Sequence, residues 1–392
     1  MRLAASLLVL LAVLFGATTR AEAADAPAAR TVLLYTIGPG DAFYSRYGHS
    51  LVCVREAGAA EESGRCFDYG IADRDDFFHI GWTSVRGSAA FVPIAVEERV
   101  VLASFGGEGR AIERQVLPLA AAEADALITR MEREVRERTA YAYHPYFANC
   151  TTALRDRIDG VTAGRLRPGR ATPASARFRE IMEEGVSGRL GELLLMALFL
   201  GAPNDHVPNG WEIMYVPSAL RDGVLDRFGA AVESVAERQA VILPTSRSVG
   251  KVALFVLSLL LFATVRGAAR FARLRSALFA VGFVLGTLGA AVGMVAALVV
   301  WPELSRNWAL AVLLPTDLAL PYLSPPWLVR YARIRIAMVG LLGLLELVSV
   351  ITQPILPLVA LVAMPMWAIV TVLRDELVTS PRASLRAPPI AQ

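Results

Sequence analysis

At Val249 the chain changes character, and the stretch beyond it restricts the fold more than any other feature of the sequence. Five apolar segments can be read there, 251–266, 276–301, 308–323, 336–352 and 354–373. A helix needs about 20 mostly apolar residues to cross a bilayer. The spacing therefore predicts an all-α membrane domain over 249–375 with about five helices, followed by a cytoplasmic tail over 376–392. Pro315 and Asp317 interrupt the third segment, which makes it the weakest fit to a span. Composition points the same way. The 392 residues are 55% hydrophobic and only 19% charged, against about 45–50% and about 25% in ordinary soluble domains.

The arginines orient these segments. Arg266, Arg270, Arg273 and Arg275 fill the first link, and Arg330, Arg333 and Arg335 lie between the third and fourth segments. Arg374, Arg382 and Arg386 follow the fifth, whereas the other two links hold only Arg306 between them. The positive-inside rule puts the arginine-rich links and the C-terminus in the cytoplasm, and residues 24–248 outside it. The N-terminus gives the same answer independently. Arg2, the apolar run Leu3 to Leu14 and the small-x-small triplet Ala21-Glu22-Ala23 read as a secretory signal over 1–23. The expected location is the cytoplasmic membrane, multi-pass, with a periplasmic N-terminal domain. A net charge of +3 is too small to argue for nucleic acid.

Residues 24–248 have the mixed pattern of an α+β domain. Strands are expected at 31–37, 48–55 and 65–69, with 49–69 forming an antiparallel hairpin. A second hairpin is expected from 98–105 and 110–117, turning at Gly106-Gly107-Glu108-Gly109. The apolar spacing of Leu127, Ile128, Met131 and Val135 predicts a helix over 120–138. Asn149 is a natural N-cap for a helix beginning at Cys150. Two more helices are expected at 174–184 and 188–200, the second very apolar.

Cys150 is the most informative residue. At the first turn of a helix, unpaired N–H groups and the helix dipole favour a thiolate. The same groups can hold the oxyanion of a tetrahedral intermediate. A buried cysteine acting as a small hydrophobe is the plainer alternative. A nucleophilic thiol needs a base, and of the four histidines His49 is the best placed, at a strand start after Gly48. His79, His144 and His206 sit in aromatic or proline-bounded stretches that suit packing. Cys53 and Cys66 face each other across the proposed hairpin. Outside the cytoplasm such a pair can oxidise, leaving Cys150 as the odd thiol, although cross-strand disulfides are geometrically demanding. That register sets Leu51 opposite Asp68 and His49 diagonal to Asp68, which would let Asp68 orient the imidazole. A slip of one residue would substitute Tyr69. Arg114 and the pair Arg155/Asp156 suit salt bridges of the scaffold. No His-x-His, Cys-x-x-Cys or glycine-rich phosphate loop is present, so no metal or cofactor is expected.

The order of a strand histidine, a strand polar residue and Asn-Cys at a helix start resembles the circularly permuted papain-like thiol enzymes, such as lecithin:retinol acyltransferase and NlpC/P60 proteins. Gly48-His49-Ser50, Phe67-Asp68-Tyr69-Gly70, Phe77 through Gly87, Arg114 to Leu119 and Tyr143 through Asn149-Cys150-Thr151-Thr152 resemble the periplasmic domain of the Lnb family. Asn307-Trp308-Ala309-Leu310 to Pro315 resembles its membrane part. Members of that family are lyso-form lipoprotein intramolecular transacylases. The resemblance implies that an ester-linked acyl chain moves from the diacylglyceryl group of a bacterial lipoprotein to its N-terminal Cys amine through a thioester. It implies Cys150 as nucleophile and His49 as base, with Asp68 and Tyr69 beside them. Asn149, Tyr143 and Arg114 are the matching positions expected to bind substrate. Asp68 stands where the family motif more commonly has Asn. The implied partners are lipoproteins and membrane lipid, without a cofactor. A cysteine hydrolase of lipid or cell wall on the same dyad, and a non-catalytic membrane-anchored binding module, are the competing readings.

Overall fold

The structure is a computed structural model and describes residues 30–73, 76–167, 174–238, 246–270 and 273–379. The expected signal segment 1–23 and most of the tail 376–392 lie outside the described residues.

The apolar run Val32-Leu33-Leu34-Tyr35 forms a strand buried on both faces. Seven strands make one antiparallel sheet: β1 (Arg30–Ile37), β2 (His49–Glu56), β3 (Arg65–Ala72), β4 (Ala90–Glu97), β5 (Ile112–Val116), β6 (Tyr141–Ala142) and β7 (Val232–Ala236). Their order across the sheet is β6-β4-β3-β2-β1-β5-β7. Strand alternation sends Val32 and Leu34 to one face and Leu33, Tyr35 and Ile37 to the other. The first face is covered by three helices, α3 (Ala121–Arg136), α4 (Cys150–Val161) and α7 (Pro217–Phe228). They contribute Leu127, Ile128, Met131, Leu154, Ile158, Leu220 and Val224 to a common core. Burying each such side chain stabilises the fold by about 1.5–3 kcal/mol before entropy is counted. The second face carries α2 (Glu98–Gly107), which follows α1 (Phe77–Val85) and β4.

Helix α2 is a correction. Residues 98–105 do not form a strand, and β5 pairs with β1 and β7 instead. The reason lies at Glu98. Its buried carboxylate accepts from Arg55 at 2.7 Å, Tyr35 Oη at 2.6 Å and the Gly64 N–H at 2.9 Å. That anchor, with Val101 and Leu102 buried three and four residues on, has the periodicity of a helix. The run Val100-Val101-Leu102 looks the same in either state to local inspection.

The helices expected at 174–184 and 188–200 are α5 (Phe178–Gly185) and α6 (Leu190–Phe199). In α6, Leu193, Met196 and Leu198 are buried while Leu190 and Leu195 are exposed. Beyond it lie α8 (Val249–Arg270), α9 (Leu274–Leu298), α10 (Pro325–Leu347) and α11 (Leu356–Thr379). Among the described residues three helices are long and apolar enough to cross a membrane, at Val249–Ala268, Leu274–Leu298 and Leu356–Arg374. Helix α10 is as long, but Arg330, Arg333 and Arg335 occupy its first half.

The third apolar segment is the other correction. Residues 308–323 contain one short helix, Ala309–Val312, and a 3-10 stretch, Pro315–Tyr322. Pro315 and Pro321 lack the N–H that a longer α-helix needs. The stretch lies against a glycine stripe on α9. A Cβ on Gly282 would come 2.7 Å from the Asp317 carbonyl oxygen, and one on Gly289 would come 2.8 Å from that of Leu313. Only glycine leaves room for backbone to approach backbone there.

Candidate active site

Two elements bring the site together. Strand β2 begins at His49, after Gly48 in a left-handed conformation with φ +84°. Helix α4 begins at Cys150, capped by Asn149. The cap is reciprocal: Asn149 Oδ1 accepts from the Thr152 N–H at 2.9 Å, and Thr152 Oγ1 accepts from the Asn149 N–H at 2.8 Å. Asn149 Nδ2 also donates to the carbonyls of Pro145 and Tyr215, both at 3.0 Å. The residue is therefore fixed from three directions, and the thiol after it is fixed in turn.

Cys150 Sγ lies 3.1 Å from His49 Nδ1, and His49 Nε2 lies 2.9 Å from Asp68 Oδ1. Asp68 Oδ1 also accepts the Gly70 N–H at 2.6 Å. The three side chains thus form a line from thiol to imidazole to carboxylate. His49 meets Asp68 because Cys53 pairs with Cys66 between β2 and β3, which sets the two residues diagonal as the sequence register requires. Cys53 and Cys66 are joined by a disulfide in this register, and Cys150 is the free cysteine.

Electrostatics agrees with the geometry. Burial alone would push His49 down. The Asp68 carboxylate and the Cys150 thiolate beside it outweigh burial and hold the imidazole well above its usual value. Burial alone would push Cys150 up, but the His49 imidazolium outweighs it and brings the thiol below its usual value. Burial raises Asp68, and the imidazolium and the Gly70 N–H more than reverse that. Both shifts favour a thiolate–imidazolium pair, in which both imidazole N–H groups donate. Thr152 N–H is taken up by the cap. The N–H groups of Cys150 and Thr151, in the first turn, have no acceptor within the helix, and first-turn N–H groups of this kind can hold an oxyanion.

Not every expected residue joins this line. Tyr69 does not, because alternation along β3 turns it to the opposite face from Asp68. Its hydroxyl donates to Glu134 Oε2 at 2.7 Å, and Arg157 lies over its ring at 4.1 Å. Arg114 is likewise absent from the site. Its guanidinium donates to Glu61 at 2.7 Å and to Glu233 at 2.8 Å, a scaffold network on β5 and β7. Tyr143 stacks on Phe91 at 4.5 Å. Burial first, and then the charge of Cys150, raise its phenol, so it shares the field of the thiolate.

Sequence reasoning missed Gly70. A Cβ there would lie 2.6 Å from His49 Cε1, so the imidazole rests against this glycine. Continuing the Cys53–Cys66 register sets Gly70 opposite His49, so the signal was present. It also missed Ser50, whose buried hydroxyl accepts from Thr151 Oγ1 at 3.3 Å and ties α4 to β2. Of the other histidines, His144 faces Glu303 at 3.5 Å and His206 faces Glu212 at 3.5 Å. No cluster of three or more His, Cys, Asp or Glu suited to a metal occurs among the described residues.

Comparison with known proteins adds one match. Residues 17–181 match the family described as the Lnb N-terminal periplasmic domain, a span that includes His49, Asp68 and Cys150. No curated protein and no solved structure matches the chain.

Proposed function

Since residues 17–181 match an Lnb-type periplasmic domain, we propose that this protein is a membrane-anchored thiol acyltransferase of lipoprotein maturation. The observation that carries the reading is the line from Cys150 Sγ to His49 at 3.1 Å and on to Asp68 at 2.9 Å. In this reading the chain order of His before Cys, on a strand and a helix start, is a permuted papain-like arrangement.

The Cys150 thiolate attacks the ester carbonyl of a lipoprotein diacylglyceryl group. The carbon–sulfur bond forms, and the N–H groups of Cys150 and Thr151 hold the oxyanion. The carbon–oxygen bond then breaks, and His49 gives its Nδ1 proton to the departing glyceryl oxygen. The lipoprotein's N-terminal Cys amine attacks the thioester, the carbon–nitrogen bond forms and the carbon–sulfur bond breaks. His49 takes the amine proton, and the thiolate returns. Asp68 keeps the imidazole oriented throughout, as it gives up and regains its proton, and Asn149 fixes the helix start.

The topology suits such a substrate. With the arginine-rich links inside, the chain is multi-pass with a cytoplasmic C-terminus, and the thiol stands on the side where lipoprotein lipids are held. The membrane part then runs down α8, up α9, down the broken stretch 308–323, up α10 and down α11. Segment 249–375 is the membrane domain of this reading and 24–248 the periplasmic one.

Mass spectrometry of a reporter lipoprotein's N-terminal peptide tests it. Wild type and Cys150→Ser are expressed in a host unable to N-acylate lipoproteins. A Cys150-dependent N-acyl, lyso-glyceryl peptide is expected. An unchanged diacylglyceryl peptide, with the exported protein folded, sinks the proposal. Loss of an acyl chain without N-acylation makes the enzyme a hydrolase instead.

A further inference from the structure

Exposed apolar side chains are continuous from the outer end of α9 onto the sheet domain. Val300, just beyond α9, is 63% exposed, and its N–H donates to the Val85 carbonyl at the end of α1 at 3.2 Å. Gly87, in the left-handed region, lies against it, where a Cβ would be 3.5 Å from Val300 Cβ. On α1, Phe78 is 83% exposed and Trp82 55% exposed. They are four residues apart and share one face of that helix. On the other side, Trp301 packs 5.3 Å from the His144 ring, which packs 4.8 Å from Phe147, itself 50% exposed. Phe147 stands three residues before Cys150. Arg86 holds its guanidinium 5.8 Å over the Trp82 ring.

We propose that Phe78, Trp82, Val300 and Phe147 form one surface that rests in the outer leaflet of the membrane, so that Cys150 stands at the depth of the lipid headgroups. The occupant is lipid because the surface extends a helix long and apolar enough to cross the bilayer, whose Met294, near the same end, is also exposed. The hydrogen bond from Val300 to Val85 holds the end of α1 at that level. Aromatic rings with an arginine above them are the side chains that the boundary between hydrocarbon and water selects. The consequence for Cys150 is approach from the side of Phe147 and Trp301 by a lipid ester that never leaves the leaflet. The inference goes beyond the acyl-transfer reading and does not need it.

The test uses the full chain with Cys150→Ser, in which Cys53 and Cys66 stay paired and an introduced thiol is the one that labels. Bimane is attached at Phe78→Cys, at Trp82→Cys and, for reference, at Val116→Cys. Val116 is exposed at the end of β5 remote from His49. The proteins are reconstituted in vesicles of phosphatidylethanolamine and phosphatidylglycerol. Lipids brominated near the glycerol should quench bimane at 78 or 82 and leave 116 unaffected. Iodide in the water should quench 116 several-fold more strongly than either. Iodide quenching at 78 and 82 equal to that at 116, with no quenching by brominated lipid, overturns the proposal. Inactivity of the enzyme leaves this readout unchanged, so the two failures are distinguishable.

Discussion

At Cys150 the balance is between burial, which opposes a thiolate, and the His49 imidazolium, which favours it more strongly. Because the thiol sits below its ordinary value, its thiolate persists as pH falls below the range where a free cysteine reprotonates. Alkylation by iodoacetamide should therefore stay fast at neutral pH. His49→Ala removes the lowering cause and leaves the burial. The pH midpoint of alkylation should move upward past the usual thiol value, and turnover should fall by about 100- to 10,000-fold. An unmoved midpoint would mean that His49 does not charge the thiol. Gly70 supplies a sharper probe, because a Cβ there would meet His49 Cε1 at 2.6 Å. Gly70→Ala should cut turnover and raise the same alkylation midpoint while leaving the melting temperature nearly as it was. Equal loss of stability and activity would instead mean that the glycine serves the strand.

Among the elements, α4 matters most, because its first residue is the thiol. Asn149 Oδ1 satisfies one N–H of its first turn, and Asn149 Nδ2 joins the helix to Tyr215 and Pro145. Asn149→Ala should cost about 1 kcal/mol from the cap, read in thermal or urea unfolding, and more if the two Nδ2 partners are left unpaired. Activity should fall further than stability accounts for, since the thiol loses its fixed position. Helices α4 and α3 were legible in the sequence because a cap or an apolar period of 3.6 marked them. Helix α2 was not. Its Glu98 forms partners with Tyr35, Arg55 and Gly64, which are 63, 43 and 34 residues away, and no local window contains them.

Over the whole molecule, the 3-10 stretch 315–322 needs a reason to stay among apolar α-helices. Arg335 donates to both oxygens of Asp317, at 3.0 and 2.9 Å, and to the Val312 carbonyl at 2.6 Å. Tyr331 Oη donates to the same carboxylate at 2.7 Å. Both ends of the ion pair are fully buried. Removing one partner of such a pair typically costs about 3–5 kcal/mol, because the other charge is stranded. Asp317→Ala and Arg335→Ala should each destabilise by that order in thermal unfolding of the reconstituted protein, and the double variant should recover part of the loss. Additive losses would show that the two charges are not a pair. The membrane part is also tied to the sheet domain. Asn204 Nδ2 donates to the Glu303 carbonyl at 2.7 Å, Asn307 Nδ2 donates to that of Leu198 at 2.7 Å, and His144 faces Glu303. The loop preceding Cys150 therefore rests on the link beyond α9.

The sequence by itself determined the break at Val249, the strands β1 to β3, the capped start of α4 and the register that brings His49 to Asp68. These come from short-range rules: apolar period, side-chain capping and alternation across a hairpin, each visible within a few tens of residues. It did not determine that 98–107 is a helix, or that 308–323 is a broken stretch held by Arg335. Those outcomes depend on which partners outside its own element a side chain meets: Tyr35, Arg55 and Gly64 for Glu98, and Arg335 for Asp317. The 3.1 Å approach of Cys150 to His49 joins residues 101 apart. Only the packing of α4 across the sheet sets that distance, because chain connectivity leaves it free.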